Sequence, residues 1–251
     1  MLAITKSMAL QGLSGYLVSI QVDISNGLPY FEIVGLPDTS VKESKERVKT
    51  AIRNSNIEFL SRRIVVNLSP ANTRKEGSMF DLPIAVGILI ANKNIRHPHL
   101  ERILEETIFI GELSLNGNIE KGKGILPICI EAKKLGIKRI ILPEQNAKEA
   151  MILEGLEILP VTNLREVILY LTGRKIIISS EKTKNVNLKA NIEYEFDFSE
   201  VKGQENAKRA LEIAASGGHN CLLIRLPRFW KDYVGQKAPF YFARYEFRRI
   251  A

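Results

Sequence analysis

The side chains of this sequence that could do chemistry are few, and their spacing excludes more than it supports. Cys129 and Cys221 lie far apart in apolar surroundings, which suits reduced core thiols better than a disulfide framework or a metal site. His97, His99 and His219 make no ligand pattern such as His-Glu-x-x-His, and His97-Pro98-His99 reads as a loop. The formal net charge of +8 is unevenly spread. Residues 225–251 hold Arg225, Arg228, Lys231, Lys237, Arg244, Arg248 and Arg249 against Asp232 and Glu246. With Phe240-Tyr241-Phe242, that tail has the ingredients of a stacking and phosphate-binding segment.

The elements that must position such residues follow from composition and periodicity. A chain of 251 residues, 45% hydrophobic and 25% charged, has the length for one large domain or two small ones. No apolar run approaches the ~20 residues that span a bilayer, and the start, Met1-Leu2-Ala3-Ile4-Thr5-Lys6, lacks the layout of a secretory signal. A cytoplasmic protein with no membrane partner is the expectation. Residues 17–24 alternate apolar and polar, and residues 30–34 follow the Asn26-Gly27 turn signal, which predicts a hairpin. Asp38 or Thr39 can cap a following helix whose Val41, Val48, Ala51 and Ile52 recur at helical spacing, with its Lys/Glu/Arg run as a solvated face. Residues 63–68 read as a buried strand and 82–91 as an apolar helix reached through the polar loop 69–81. Strands at 107–110, 113–115, 139–142 and 156–161 then alternate with helices at 125–135, 147–153 and 164–171, an α/β (α+β) pattern. From 179 to 194 the composition becomes rich in Lys, Asn and Glu, as in an exposed linker. Beyond it Ser199 can cap a helix over 204–215 with Ala207, Ala210, Leu211 and Ala214 on one stripe, and 219–224 reads as a strand.

Several runs resemble the YifB/ComM family of magnesium-chelatase-like proteins: Ala9-Leu10-Gln11-Gly12, the stretch 23–29, and 31–44, which reads FEIVGLPDTSVKES. The resemblance continues through Val66-Asn67-Leu68-Ser69-Pro70-Ala71, Lys75-Glu76-Gly77, residues 80–85 and Gly111-Glu112-Leu113-Ser114, and after the linker through 198–215 and Gly217-Gly218-His219-Asn220. It implies a Lon-protease-like amino-terminal domain, residues 1–172, then a linker over 173–195 and the first helix and strand of an AAA+ ATPase module, residues 196–224. Intact members resemble ring-forming, ATP-driven motors that act on DNA in recombination or transformation, with ATP and magnesium as cofactors. DNA and self-association through the first domain are the partners this implies.

Lon-type catalysis needs a serine nucleophile activated by a lysine base. Matching Lys75-Glu76-Gly77 to the Lon run Lys-Asp-Gly-Pro-Ser puts Met79 at the nucleophile position, and matching Gly136-Ile137-Lys138 with Pro143-Glu144 puts Leu126 at the lysine position. Neither side chain can do the chemistry. Ser78 with Lys121 or Lys123 would substitute only in a shifted register.

AAA+ chemistry requires a glycine-rich loop directly after the first strand of the module. That place holds Arg225-Leu226-Pro227-Arg228-Phe229-Trp230-Lys231-Asp232, without a glycine. Gly203 and Gln204 resemble family residues near the adenine but cannot form a site alone. The family's loop commonly reads Pro-Pro-Gly-Ser-Gly-Lys-Thr-Met-Leu-Ala. Its codons, read from the third base of the first proline codon, permit Pro, Arg, Phe, Trp, Lys, Asp, Tyr, Val and Gly in order, as residues 227–235 have them. The expectation is a frameshift near Arg225 or Leu226, an out-of-frame tail over 225–251, no bound cofactor and no ATP hydrolysis. A binding module formed by the first domain is the alternative, and a Ser-Lys peptidase a third reading.

Overall fold

Two long strands, β1 (Leu2–Gln11) and β2 (Ser14–Ser25), open the computed structural model, which describes residues 2–12, 14–59, 62–177 and 203–221. They pair antiparallel around a bend at Gly12, from Leu2 opposite Asp23 to Gln11 opposite Ser14. Periodicity did not reveal β1, because its inward residues Ala3, Thr5 and Ser7 are small or polar. The hairpin expected around Asn26-Gly27 does not form. β3 (Tyr30–Val34) instead pairs parallel with β4 (Arg63–Ser69), and β4 pairs antiparallel with β2, giving the order β1-β2-β4-β3. The physical reason is the intervening helix α1 (Thr39–Asn54): a strand, a crossover helix and a strand close as a parallel pair, and β4 thereby occupies the edge of β2 that a hairpin would have used.

Asp38 caps α1, its carboxylate accepting from the Val41 N–H at 2.7 Å, and the helix buries Val41, Ser44, Val48, Ala51 and Ile52. Gly35, between β3 and this cap, has φ +100, and a Cβ there would sit 2.2 Å from the Leu68 carbonyl oxygen, so the close approach of two backbones excludes any larger residue. The helix α2 (Asp81–Ala91) is buried at every position, as its lack of a polar face requires. Gly87 lets it approach β2, since a Cβ there would come within 2.6 Å of Val22, and Thr5 of β1 donates to the Pro83 carbonyl at 3.0 Å.

The rest of the first unit surrounds this core. A short helix α3 (Leu100–Glu105), which periodicity had not indicated, precedes β5 (Thr107–Phe109). The Asn116-Gly117 signal does turn a small hairpin, β6 (Glu112–Leu113) with β7 (Ile119–Glu120). After α4 (Ile125–Lys134), β8 (Arg139–Pro143) pairs parallel with β5 and with β9 (Glu157–Val161). A 3-10 turn and the short helix α5 (Ala147–Ala150) join β8 to β9, shorter than the helix expected over 147–153, and α6 (Leu164–Leu171) follows. Helices and strands mixed in this way make the fold α+β.

Chain contacts divide the molecule between Lys184 and Asn185, within the segment read as the linker. In the second unit the described residues form one helix, α7 (Glu205–Gly217), which buries Leu211, Ala214 and Ala215. Ala210, expected on that stripe, is exposed, because it lies about 100° around the helix from Leu211. His219, Asn220 and Cys221 are not in a strand: a strand needs a paired neighbour, and none occurs among the described residues here. Ser199, the remainder of that expected strand and the whole tail lie outside the described residues.

Candidate functional site

The loop from Pro70 to Phe80 is a polar segment tied by hydrogen bonds to its surroundings. Lys75 is fully buried, its ammonium donating to the carbonyls of Pro70 and, at 2.7 Å, of Thr73. Burial pushes this amine below the ordinary lysine value. Its main chain bridges to Pro37: the Lys75 N–H donates to Leu36 at 3.1 Å, and its carbonyl accepts from Asp38 at 2.9 Å. Asp38, besides capping α1, accepts from the Gly77 N–H at 3.2 Å, and Tyr16 donates to the Arg74 carbonyl at 3.0 Å. The helix start, two strands and the loop are thus held as one body.

Below the loop lies a buried ion pair. Arg47 of α1 grips Asp81 at the start of α2 through Nε at 2.7 Å and Nη2 at 3.1 Å, and its Nη2 also reaches the Ser40 carbonyl and the Ser44 hydroxyl. The Asp81 side chain has no exposed surface and also accepts from the Leu113 N–H at 3.2 Å. Burial raises the Asp81 carboxyl above its ordinary value, against the opposing pull of Arg47, Ser44 and Leu113, while Asp81 holds the Arg47 guanidinium firmly protonated. The pair closes the junction of α1, α2 and β6. Sequence reasoning passed over both residues. The available signal was an aspartate heading a wholly apolar helix, a position that demands a buried cation or several donors.

Among the described residues, Ser78 makes no hydrogen bond with Lys121 or Lys123. Ser78 donates to Glu112, its partner among the described residues, and no lysine takes part. Met79 is half-buried and packs toward Gly122, where a Cβ would meet its sulfur at 3.0 Å, and toward the cluster containing Ile125. Lys121 and Lys123 are exposed on the loop before α4, and Leu126 is half-buried at the first turn of that helix. The buried Asn146 clamps this loop, accepting from the Gly122 N–H at 2.9 Å and donating to the Gly122 carbonyl at 3.0 Å. The side chains of Met79 and Leu126, thioether and aliphatic carbon, can pack but cannot transfer a proton.

Gly203 and Gln204 stand together at the entrance to α7, both exposed and both in the left-handed region, with φ +70 and +61. A Cβ on Gly203 would meet nothing within 4 Å. Arg225 to Asp232, the place for a phosphate loop, lies outside the described residues and contains no glycine. Cys129 is buried in the core as expected, with its thiol pushed up to about 12 by burial, but Cys221 is exposed at the end of the second unit's described segment. Among the described residues no group of three His, Cys, Asp or Glu could hold a metal ion, and no helix is long and apolar enough to cross a membrane.

Comparison with known proteins agrees with this architecture. Residues 20–146 match the family model for subunit ChlI of Mg-chelatase, and residues 197–246 match that for magnesium chelatase, subunit ChlI. The competence protein ComM of Haemophilus influenzae is 38% identical over 237 residues, covering 94% of this chain and 46% of that protein. The uncharacterized protein YifB of Escherichia coli is 37% identical over 236 residues, covering 94% of this chain and 45% of that protein. An archaeal Lon protease from Methanocaldococcus jannaschii is 26% identical over 120 residues, 48% of this chain and 18% of the protease. The chain spans about half the length of the ComM and YifB relatives it matches.

Proposed function

We propose, from the premise that this chain belongs to the YifB/ComM-type, magnesium-chelatase-like family, that its first unit is a non-catalytic binding module for DNA or for further copies of the chain, belonging to an ATPase whose phosphate loop is lost here. The observation that carries this reading is chemical: Ser78 and Asp81 are engaged with Glu112 and Arg47, and the motif matching assigns Met79 and Leu126 to the positions where a Lon-like site would need serine and lysine. The competence role in the name of the Haemophilus relative fits intact members that move DNA by ATP hydrolysis. A chain with Arg225 to Asp232 in place of a glycine-rich loop has no means of gripping the phosphates. Phosphate release from magnesium ATP no faster than with heat-killed protein is the expected result; turnover above that control sinks the reading. Cleavage of a casein substrate that disappears in Ser78→Ala would restore the peptidase reading.

The agreement of residues 227–235 with a shifted family loop supports a frame change near Arg225. Because the family match runs to residue 246, past that point, the frame is to be checked on the gene itself. Resequencing from the codon for Cys221 onward should yield Gly-Ser-Gly-Lys-Thr on correction of one base; absence of AAA+ sequence downstream in every frame refutes the account.

A further inference from the structure

We infer that the cleft between β3 and the outer face of α1 binds single-stranded nucleic acid, with Lys45, Lys49 and Arg62 taking phosphates and the ring of Tyr30 offering a surface for base stacking. This rests on the DNA-binding reading of the first unit and assigns it a place. The cleft encloses about 360 Å³ and is bordered by Tyr30 and Phe31 at the sheet edge, Lys45 and Lys49 on the helix, and Phe59 and Arg62 on the segment entering β4. Among its lining side chains three cations face one carboxylate, Glu46. Among the described residues, the ion pairs of α1 go through Arg47, to Glu43 and Asp81, and none involves Lys45 or Lys49. These two lysines, four residues apart, project from one side of the helix.

Of the aromatic groups here, Tyr30 is exposed, whereas Phe31 and Phe59 are half-buried and pack against the core. Tyr30 is 46% exposed, and its hydroxyl donates to Glu32, which fixes the ring at the cleft mouth. Phe31 and Phe59 stack with centroids 6.4 Å apart and form an apolar floor. Two further cations lie over these rings: Arg63 is 5.9 Å from the Tyr30 centroid, and Arg53 is 5.9 Å from that of Phe59. Cationic groups beside exposed rings are what a flexible strand needs, phosphate held by charge and base by a π-face. A duplex would use the charges but not the rings, because its base faces are already stacked on one another, so the arrangement favours the single strand.

The test uses the full chain and a fluorescent oligothymidylate of about 20 nucleotides, followed by anisotropy between about 50 and 200 mM salt. Reversing Lys45→Glu with Arg62→Glu should weaken binding at least about tenfold and make the slope of log affinity against log salt shallower by about 1.4, two phosphate contacts at about 0.7 each. Tyr30→Ala should weaken it at least about fivefold with the slope unchanged, and Tyr30→Trp should restore it. All these positions are exposed, and a far-UV circular dichroism spectrum matching the parent confirms that each variant folds. A tail variant, Arg244→Ala with Arg248→Ala and Arg249→Ala, should retain the cleft-dependent part. If the parent binds no oligonucleotide, the DNA reading of the first unit fails and the cleft with it. If the parent binds but the cleft variants bind equally well, or a duplex of the same length binds tighter, the cleft assignment alone is overturned. Sensitivity to charge reversal without any effect of Tyr30→Ala overturns it too.

Discussion

Replacing Arg47 by alanine strips the buried Asp81 carboxylate of its counter-ion without touching the main chain of α2. Two hydrogen bonds, at 2.7 and 3.1 Å, are lost, and Asp81 keeps only the Leu113 N–H and Ser44 as donors. Removing one partner of a buried pair costs about 3–5 kcal/mol; with the Arg47 side chain 20% exposed the lower end applies, about 3 kcal/mol. For a domain of this size that lowers Tm by roughly 6–12 °C. The loss should depend on pH. The folded-state value of Asp81 lies above its unfolded value, so its protonated form is favoured in the fold, and stability falls as pH rises through the folded-state value. Without Arg47 that value rises further. The gap between Arg47→Ala and the parent should therefore be about 1 kcal/mol in acid, where a neutral carboxyl has lost only hydrogen bonds, and widen toward its full size at neutral pH. Denaturant unfolding followed by far-UV circular dichroism is the assay, since the single tryptophan, Trp230, lies in the tail. The companion Arg47→Met with Asp81→Leu removes both charges and should recover at least about half of the loss. A neutral-pH loss below about 0.5 kcal/mol, or one equal at both pH values, refutes the assignment.

Gly35→Ala should cost at least about 2 kcal/mol in the same unfolding assay, because the added methyl meets the Leu68 carbonyl oxygen and the left-handed backbone disfavours any side chain. Lys75 has a folded-state value below its ordinary 10.5, so it contributes stability that grows as pH rises from the folded toward the unfolded value; comparing the parent with Lys75→Met across the alkaline range should show that growth in the parent only. Titration of the native chain with a disulfide reagent should find one fast thiol, Cys221, and one that reacts only on unfolding, Cys129, whose burial suppresses the thiolate.

The sequence alone determined what short-range physics controls. The cap at Asp38, the amphipathic pattern of α1, the apolar run of α2, the alternation in β2 and the apolar strand β4 each follow from neighbours within a few residues, and the elements appear where the pattern puts them. The family motifs were legible for the same reason, since identity at a position needs no coordinates. Pairing was not legible. Asn26-Gly27 is a valid local turn signal, yet the choice between β3 and β4 as partner of β2 depends on which closure lets α1 bury its apolar stripe, an energy spread over dozens of residues. Only the tertiary structure joined Arg47 to Asp81 across 34 positions of sequence, and only it showed that the lysines of α1, which read as a solvated face, stand opposite Tyr30 and Arg62. Such sites are made by residues distant in sequence, and one chain's residue types do not record which of them the packing brings together.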